Sequence, residues 1–328
     1  MTRLLIYEPS FRRIEARLAA HGDALKPLLM GEDGSLTLAG HAIAVDEAKP
    51  RAAWANAEVF ESSVSREFMI ALLKAPGLQW LQSAAAGFDH PVFSQLARKG
   101  VRLTTSHGQA VGMADYVLAG VLDHFQRGAE RRAAQAQRAW RRLPFRELMG
   151  SRWLIVGFGA IGQAVAQRAR AFGGIVTGIR RDPSPHPLAE AIAPLERLCD
   201  LAADADVLVL CIPLNQATRR IAGARLFAAM RAGSVLVNVG RGGLVDEAAL
   251  VAALDKGAPG HAVLDVFETE PLPPESPLWT HPAVSVTAHA SGVTAGPGPR
   301  NQELFLDNLA RYLAGEPLLH EVDPADLA

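Results

Sequence analysis

Short apolar runs and helical stretches alternate along the chain from its first residues. Leu4-Leu5-Ile6-Tyr7 is a compact apolar run, and Phe11, Ile14 and Leu18 follow it at helical spacing. Further on, His41-Ala42-Ile43-Ala44-Val45, Glu58-Val59-Phe60 and Leu78-Gln79-Trp80-Leu81-Gln82 read as strands, and a helix is predicted over Ser65 to Lys74, stopped by Ala75-Pro76-Gly77. One long helical pattern runs from Gly108 to about Trp140. After Gly150 the runs lengthen: Trp153-Leu154-Ile155-Val156, Ile175 to Ile179, Val207 to Ile212, Val235 to Val239, Ala262-Val263-Leu264 and Val284 to Thr287. Central parallel strands, buried on both faces, require such near-continuous apolar character. Helices are predicted between them, including Gln163 to Phe172 and Glu247 to Leu254. Strands separated by helices imply parallel sheets with crossover connections.

Length and composition narrow the classes. At 328 residues the chain has room for two domains of ~150 residues each. It is 49% hydrophobic and 20% charged, a globular and not a disordered composition. The 33 Lys and Arg against 34 Asp and Glu give a net charge of −1, which argues against nucleic acid or an anionic membrane as the main partner. Residues 127–146 do hold seven arginines against one acid, Glu130. With almost no aromatic interleaving, this stretch reads as a solvated or subunit-facing helix rather than a nucleic-acid arm. No apolar run approaches ~18 residues, and Met1-Thr2-Arg3-Leu4 is charged too soon for a signal peptide, so a cytoplasmic protein is expected. The two cysteines, Cys199 and Cys211, are too few for a disulfide framework or a four-ligand zinc site. Cys211 reads as a small buried residue of a strand. No metal is expected.

The candidate chemistry begins at Gly157-Phe158-Gly159-Ala160-Ile161-Gly162, a G-x-G-x-x-G that directly follows an apolar strand and opens a helix. Gly157 permits the tight turn, Gly159 lets backbone approach a pyrophosphate, and Gly162 allows close helix–strand packing. The helix start supplies free amides and positive dipole, with Ala160 and Ile161 at that start. The next strand ends at Ile179 and is followed by Arg180-Arg181-Asp182. A guanidinium can bind a 2′-phosphate that a carboxylate would repel, so NADP is the expected cofactor. The other reading gives the ribose to Asp182 and uses NAD.

Three later stretches each place a reactive side chain past a strand, where open α/β sheets bind ligands. They are Asn238-Val239-Gly240-Arg241-Gly242-Gly243-Leu244-Val245-Asp246-Glu247, Leu264-Asp265-Val266-Phe267-Glu268-Thr269-Glu270-Pro271, and Thr287-Ala288-His289-Ala290-Ser291-Gly292. With the dinucleotide loop and Ser276-Pro277-Leu278-Trp279, these motifs resemble the D-isomer-specific 2-hydroxyacid dehydrogenase family from about Gln79 to Tyr312. The resemblance implies roles. His289 would be the general acid/base at the carbonyl oxygen, with Glu270 as its carboxylate partner. Arg241 would bind the substrate carboxylate and polarise the carbonyl. Asp265 would help hold the nicotinamide carboxamide, and Pro213, after the run ending at Ile212, is counted with the cofactor-binding residues. Ser83-Ala84-Ala85-Ala86-Gly87-Phe88-Asp89-His90 resembles the family loop whose amides cradle the substrate carboxylate, with Ala86 and Gly87 at those positions. Asp115 is expected at a helix end or domain interface, and His90, His107 and His124 are expected to be structural.

The resemblance further implies an α/β architecture: a Rossmann-type doubly wound parallel sheet over 105–290 as the NAD(P)-binding domain, and a discontinuous flavodoxin-like substrate domain from 1–104 and 291–328. A homodimer through the cofactor domain is implied, with the arginine-rich stretch at 120–142 at the contact. The expected activity is NADPH-preferring reduction of a small 2-oxo acid, glyoxylate or hydroxypyruvate, to the D-2-hydroxy acid. An NAD-dependent or phosphoglycerate-type dehydrogenase and a nucleotide-sensing corepressor-like protein are the alternatives. Two departures bear on substrate preference: the Gly- and Pro-rich stretch 292–300, and the alanine run in the carboxylate loop.

Overall fold

The computed structural model describes residues 1–85, Gly87 and 90–323. The chain divides into two compact units, Met1–Gly108 with Ala295–Ala328, and Gln109–Thr294. Among the described residues, each is built on a seven-stranded sheet.

The strands of the first unit are β1 (Thr2–Tyr7), β2 (Leu25–Met30), β3 (Leu36–Leu38), β4 (His41–Ala42), β5 (Ala52–Ala55), β6 (Trp80–Ser83) and β7 (Arg102–Thr104), in the order β4-β3-β2-β1-β5-β6-β7. Strands β2, β1, β5, β6 and β7 are parallel. Their chain-order sequence, second-first-third-fourth-fifth, is the flavodoxin arrangement. The hairpin of β3 and β4 extends one edge antiparallel. Alternation along β1 puts Leu4 and Ile6 in one core and Leu5 and Tyr7 in the other. The first of these cores is completed by the helix Pro297–Ala314, which returns from the far end of the chain with Phe305, Leu306 and Leu309. Phe305 stacks on Trp54 with ring centroids 4.3 Å apart.

The second unit holds β8 (Arg152–Val156), β9 (Ile175–Ile179), β10 (Ala191–Ala193), β11 (Val207–Leu210), β12 (Val235–Asn238), β13 (His261–Leu264) and β14 (Val284–Val286), ordered β10-β9-β8-β11-β12-β13-β14. All the pairs are parallel. This is the doubly wound Rossmann order, in which the strand order reverses between β8 and β11 and opens a crevice at their carboxyl ends. Both faces are apolar: Leu154 and Val156 of β8 enter one core, Trp153 and Ile155 the other.

Three elements differ from the reading of the sequence. Glu58-Val59-Phe60 is not a strand but part of the helix Ala57–Glu61, because the Asn56 side chain caps it, accepting from the Val59 amide at 3.2 Å. The neighbouring strand is the alanine-rich β5, which has no β-branched residue to announce it. Of His41 to Val45 only the first two residues are strand, and Val45–Ala48 is helical. The long helical pattern is two helices, Ala110–Phe125 and Gly128–Ala136. Arg127 between them takes a left-handed backbone with φ 57°, braced by its Nε bond to Glu130 at 2.7 Å. Among the described residues no helix is long and apolar enough to cross a membrane.

Candidate active site

The carboxyl ends of β8 and β11 meet at the glycine loop. Gly157 has φ 103°, and a Cβ there would stand 2.6 Å from the Cys211 carbonyl oxygen and from Ile212 Cγ2. Only glycine fits both the backbone and the gap. A Cβ on Gly162 would lie 2.1 Å from the Gly157 carbonyl oxygen, so the helix Ala160–Ala171 starts in direct contact with the turn. At Gly159, by contrast, nothing among the described residues lies within 4 Å of such an atom or caps the helix with a side chain. Open space over an uncapped helix start, with Ala160 and Ile161 in its first turn, fits a pyrophosphate. Cys211, which the sequence offered only as a buried filler, donates its thiol to the Gly157 carbonyl at 3.0 Å. Burial pushes that thiol up to about 12, so it stays protonated and remains a donor. Pro213 follows on the exposed side of the same strand end, its carbonyl accepting from the Thr218 hydroxyl at 2.8 Å.

Past β9, Arg180 bends over its own loop, with Nε donating to the Asp182 carbonyl at 2.6 Å and Nη2 to the Ser184 carbonyl at 2.8 Å. Asp182 Oδ1 accepts from the Ser184 amide at 3.0 Å and hydroxyl at 2.6 Å, which together hold the carboxyl below its ordinary range. Arg181 is exposed beside them.

The reactive groups past β12, β13 and β14 are tied together in pairs. His289 Nδ1 and Glu270 Oε2 are 2.7 Å apart, and Glu270 Oε1 accepts from the Phe267 amide at 3.0 Å. Both Glu270 oxygens are thereby oriented, which leaves the imidazole Nε2 as the nitrogen turned away from the carboxylate. Arg241 lies three residues past β12. Asn238 Nδ2 donates to its carbonyl at 3.0 Å, and one guanidinium nitrogen donates to the Gly240 carbonyl at 2.8 Å. The next residue, Gly242, has no room for a side chain: a Cβ would stand 1.8 Å from the Phe267 carbonyl carbon. This contact seats the Arg241 segment against the segment that carries Glu270.

Asp265 has no exposed surface. Its Oδ1 accepts from the Thr287 hydroxyl at 2.6 Å and the Ala290 amide at 2.8 Å, and its Oδ2 from the Ser291 amide at 3.0 Å. Burial alone would raise this carboxyl, but the bonds from Ser291, Thr287 and Ala290 outweigh it and hold the pKa low. These bonds tie Asp265 to the loop around His289. The sequence did carry a signal for this, the hydroxyl residues Thr287 and Ser291 flanking the histidine.

The remaining candidates lie elsewhere. In the first unit the segment after β6 is pinned by bonds from the Ala84 amide to the Ala55 carbonyl at 2.9 Å and from the Ser106 amide to the Ala85 carbonyl at 3.1 Å. Gly87 follows, half-buried; Ala86 lies outside the described residues. His90 caps the helix Pro91–Arg98, His107 packs on His320 with the rings tilted by 51°, and His124 stacks on His261. Asp115 is mid-helix and pairs with Arg168 at 2.6 Å, both within the second unit.

Residues 118–291 match the family model described as D-isomer specific 2-hydroxyacid dehydrogenase, NAD binding domain. The chain is 33% identical over 277 residues to glyoxylate/hydroxypyruvate reductase B of Escherichia fergusonii, covering 80% of this chain and 83% of the relative. A D-isomer specific 2-hydroxyacid dehydrogenase from Xanthobacter autotrophicus Py2, solved with NADPH and MES, aligns with a TM-score of 0.79 and 28% identity over 100% of this chain and 99% of that one. The NADPH-dependent glyoxylate/hydroxypyruvate reductase of Sinorhizobium meliloti, solved with NADP and sulfate, aligns with a TM-score of 0.76 and 27% identity over 99% of each chain. The chain belongs to the D-isomer specific 2-hydroxyacid dehydrogenase family of NAD(P)-dependent oxidoreductases.

Gly242→Ala is expected to force the Arg241 and Glu270 segments apart and to lower kcat/KM by about 10²-fold, the scale of a 1 Å misplacement. Gly77, where among the described residues nothing lies within 4 Å of an added Cβ, is the control: Gly77→Ala should leave steady-state rates unchanged.

Proposed function

We propose that the protein is an NADPH-preferring reductase of small 2-oxo acids, glyoxylate or hydroxypyruvate, giving the D-2-hydroxy acid. The observation that carries this reading is the 2.7 Å contact of His289 Nδ1 with Glu270 Oε2, past the strand ends of a dinucleotide-binding sheet. The relatives named for glyoxylate and hydroxypyruvate reduction support the substrate class. The unit made from both ends of the chain is the substrate domain, and the unit with the glycine loop is the cofactor domain.

Gly157, Gly159, Ala160, Ile161 and Gly162 would hold the pyrophosphate, and reduced nicotinamide, when bound, supplies the hydride to the carbonyl carbon. His289 gives its Nε2 proton to the carbonyl oxygen, and the same nitrogen recovers a proton from solvent after product leaves. Glu270 holds the ring through Nδ1–H and compensates the imidazolium charge before transfer. Arg241 pairs with the substrate carboxylate, a task suited to a permanent, planar cation. His289→Asn is expected to lower kcat/KM by roughly 10²–10⁴-fold with NADPH binding retained. Steady-state rates at 340 nm and fluorescence titration of NADPH check both halves, and a loss below about tenfold removes the acid role.

Cofactor choice follows from the loop after β9. The adjacent cations Arg180 and Arg181 past β9 support a 2′-phosphate site over a ribose contact with Asp182. Replacing Arg180 and Arg181 together by Asp should raise KM for NADPH about 10- to 100-fold more than KM for NADH, the worth of charge-assisted hydrogen bonds. Equal changes for the two cofactors discard the phosphate role.

The segment after the helix Gly128–Ala136 supports a subunit contact. Trp140, Phe145 and Met149 are 97%, 53% and 71% exposed, a density of bare apolar side chains that association covers. The chain should sediment as a homodimer, and Trp140→Glu with Met149→Glu should shift it toward monomer; a monomeric wild type refutes the contact.

A further inference from the structure

Tyr116 sits mid-way along the helix Ala110–Phe125, and nothing in the chemistry above uses it. Gly112 and Gly120 lie four residues to either side, on the same helical face. A Cβ on Gly112 would stand 2.8 Å from Thr294 Cγ2, and one on Gly120 would stand 2.8 Å from Val263 Cγ1. Two glycines thus let this face settle against β13 and the chain beyond β14 more closely than any side chain permits. Seated at that depth, the tyrosine hydroxyl reaches Thr287 Oγ1 at 2.8 Å.

The direction of each bond is fixed by counting protons. Asp265 is ionised and can only accept. Thr287 has one hydroxyl proton, and it goes to Asp265 Oδ1 at 2.6 Å. Toward Tyr116 the threonine oxygen can therefore only accept, so the tyrosine donates. Burial pushes the phenol up to about 12, which keeps that proton in place at any working pH. Asp265 in turn receives the Ala290 and Ser291 amides, and its backbone carbonyl receives the His289 amide at 2.8 Å. His289 itself holds a left-handed backbone at φ 50°, a conformation that a non-glycine residue keeps only when its surroundings enforce it.

We propose that Tyr116 is a positioning residue for the reduction, its hydroxyl donating the first bond of a chain through Thr287 and Asp265 that aims His289. The proposal rests on His289 being the acid. A bond to Thr287 draws the threonine proton further toward Asp265, because successive hydrogen bonds polarise one another. Without it the threonine hydroxyl is free to rotate, and the carboxylate that orders residues 289–291 loses a fixed donor.

The test is steady-state glyoxylate reduction by the full-length protein with NADPH, in four variants. Tyr116→Phe removes one oxygen and should lower kcat about three- to tenfold, the worth of one hydrogen bond, with both KM values unchanged. Thr287→Val should lose a similar factor, while Thr287→Ser, which keeps the hydroxyl, retains the wild-type rate. In a His289→Asn background Tyr116→Phe should cost nothing further, since the chain acts only through that imidazole. Wild-type kcat in Tyr116→Phe overturns the proposal, as does the same fractional loss with and without His289. If His289→Asn alone loses less than about tenfold, the acid assignment falls and the positioning role falls with it. That outcome is separate from a slow His289→Asn with a normal Tyr116→Phe, which sinks the positioning role alone.

Discussion

A carboxylate with no solvent contact is costly unless donors replace the water it has lost. Asp265 meets this condition with bonds from Thr287, Ala290 and Ser291, all in the segment that carries His289. The dependence runs both ways. The charge is tolerable only while that segment is in place, and the segment keeps its left-handed histidine only while the charge is there to hold it. A weak loop would let the imidazole wander. A neutral side chain at 265 would remove the reason for the loop to close. The site around His289 and Glu270 is therefore ordered by a buried ion that does not itself touch the imidazole ring.

Close backbone approach extends the same order to the neighbouring strand ends. Gly242 brings the turn after β12 against Phe267, and the Phe267 amide is the donor that fixes Glu270 Oε1. At the crevice between β8 and β11, Gly157 and Gly162 close the turn while the Cys211 thiol satisfies the Gly157 carbonyl. In each case a missing Cβ lets main chain meet main chain, and a hydrogen bond then sets the register. The parallel sheet supplies strand ends at regular spacing; these contacts turn that spacing into particular distances.

Much of the second unit was legible because its strands are buried on both faces and show as unbroken apolar runs: β8 and β9 and the helix Glu247–Leu254 appear as read. The glycine loop and the segments bearing Arg241, Glu270 and His289 were legible for a related reason, since each follows such a run directly. Elsewhere local signals misled. β5 is Ala-Ala-Trp-Ala and is made a strand by its neighbours β1 and β6, whereas Val59 and Phe60 look like strand residues and are made helical by the Asn56 cap. The break at Arg127 is marked by Gly128 alone, which the surrounding helical pattern absorbs as one more small residue. The tie of Asp265 to Thr287 and Ser291 joins residues more than twenty positions apart, and the fold is what brings them together. Tyr116 carries no signal in the sequence, because its reach depends on two glycines that helical periodicity registers only as gaps.

The returning helix Pro297–Ala314 sets an order of events during synthesis. In the first unit the core that contains Leu4, Ile6, Trp54 and Trp80 is shared with Phe305, Leu306 and Leu309, which are made after the whole of the second unit. The second unit, continuous from Gln109 to Thr294, has every strand of its sheet available before then, and domains fold as units when their residues are complete. The strands of the first unit, made before the second unit, are thus enclosed after it. Until that helix is made, a sheet face bearing two tryptophans lacks part of its cover, and transiently exposed apolar surface of this kind is open to aggregation.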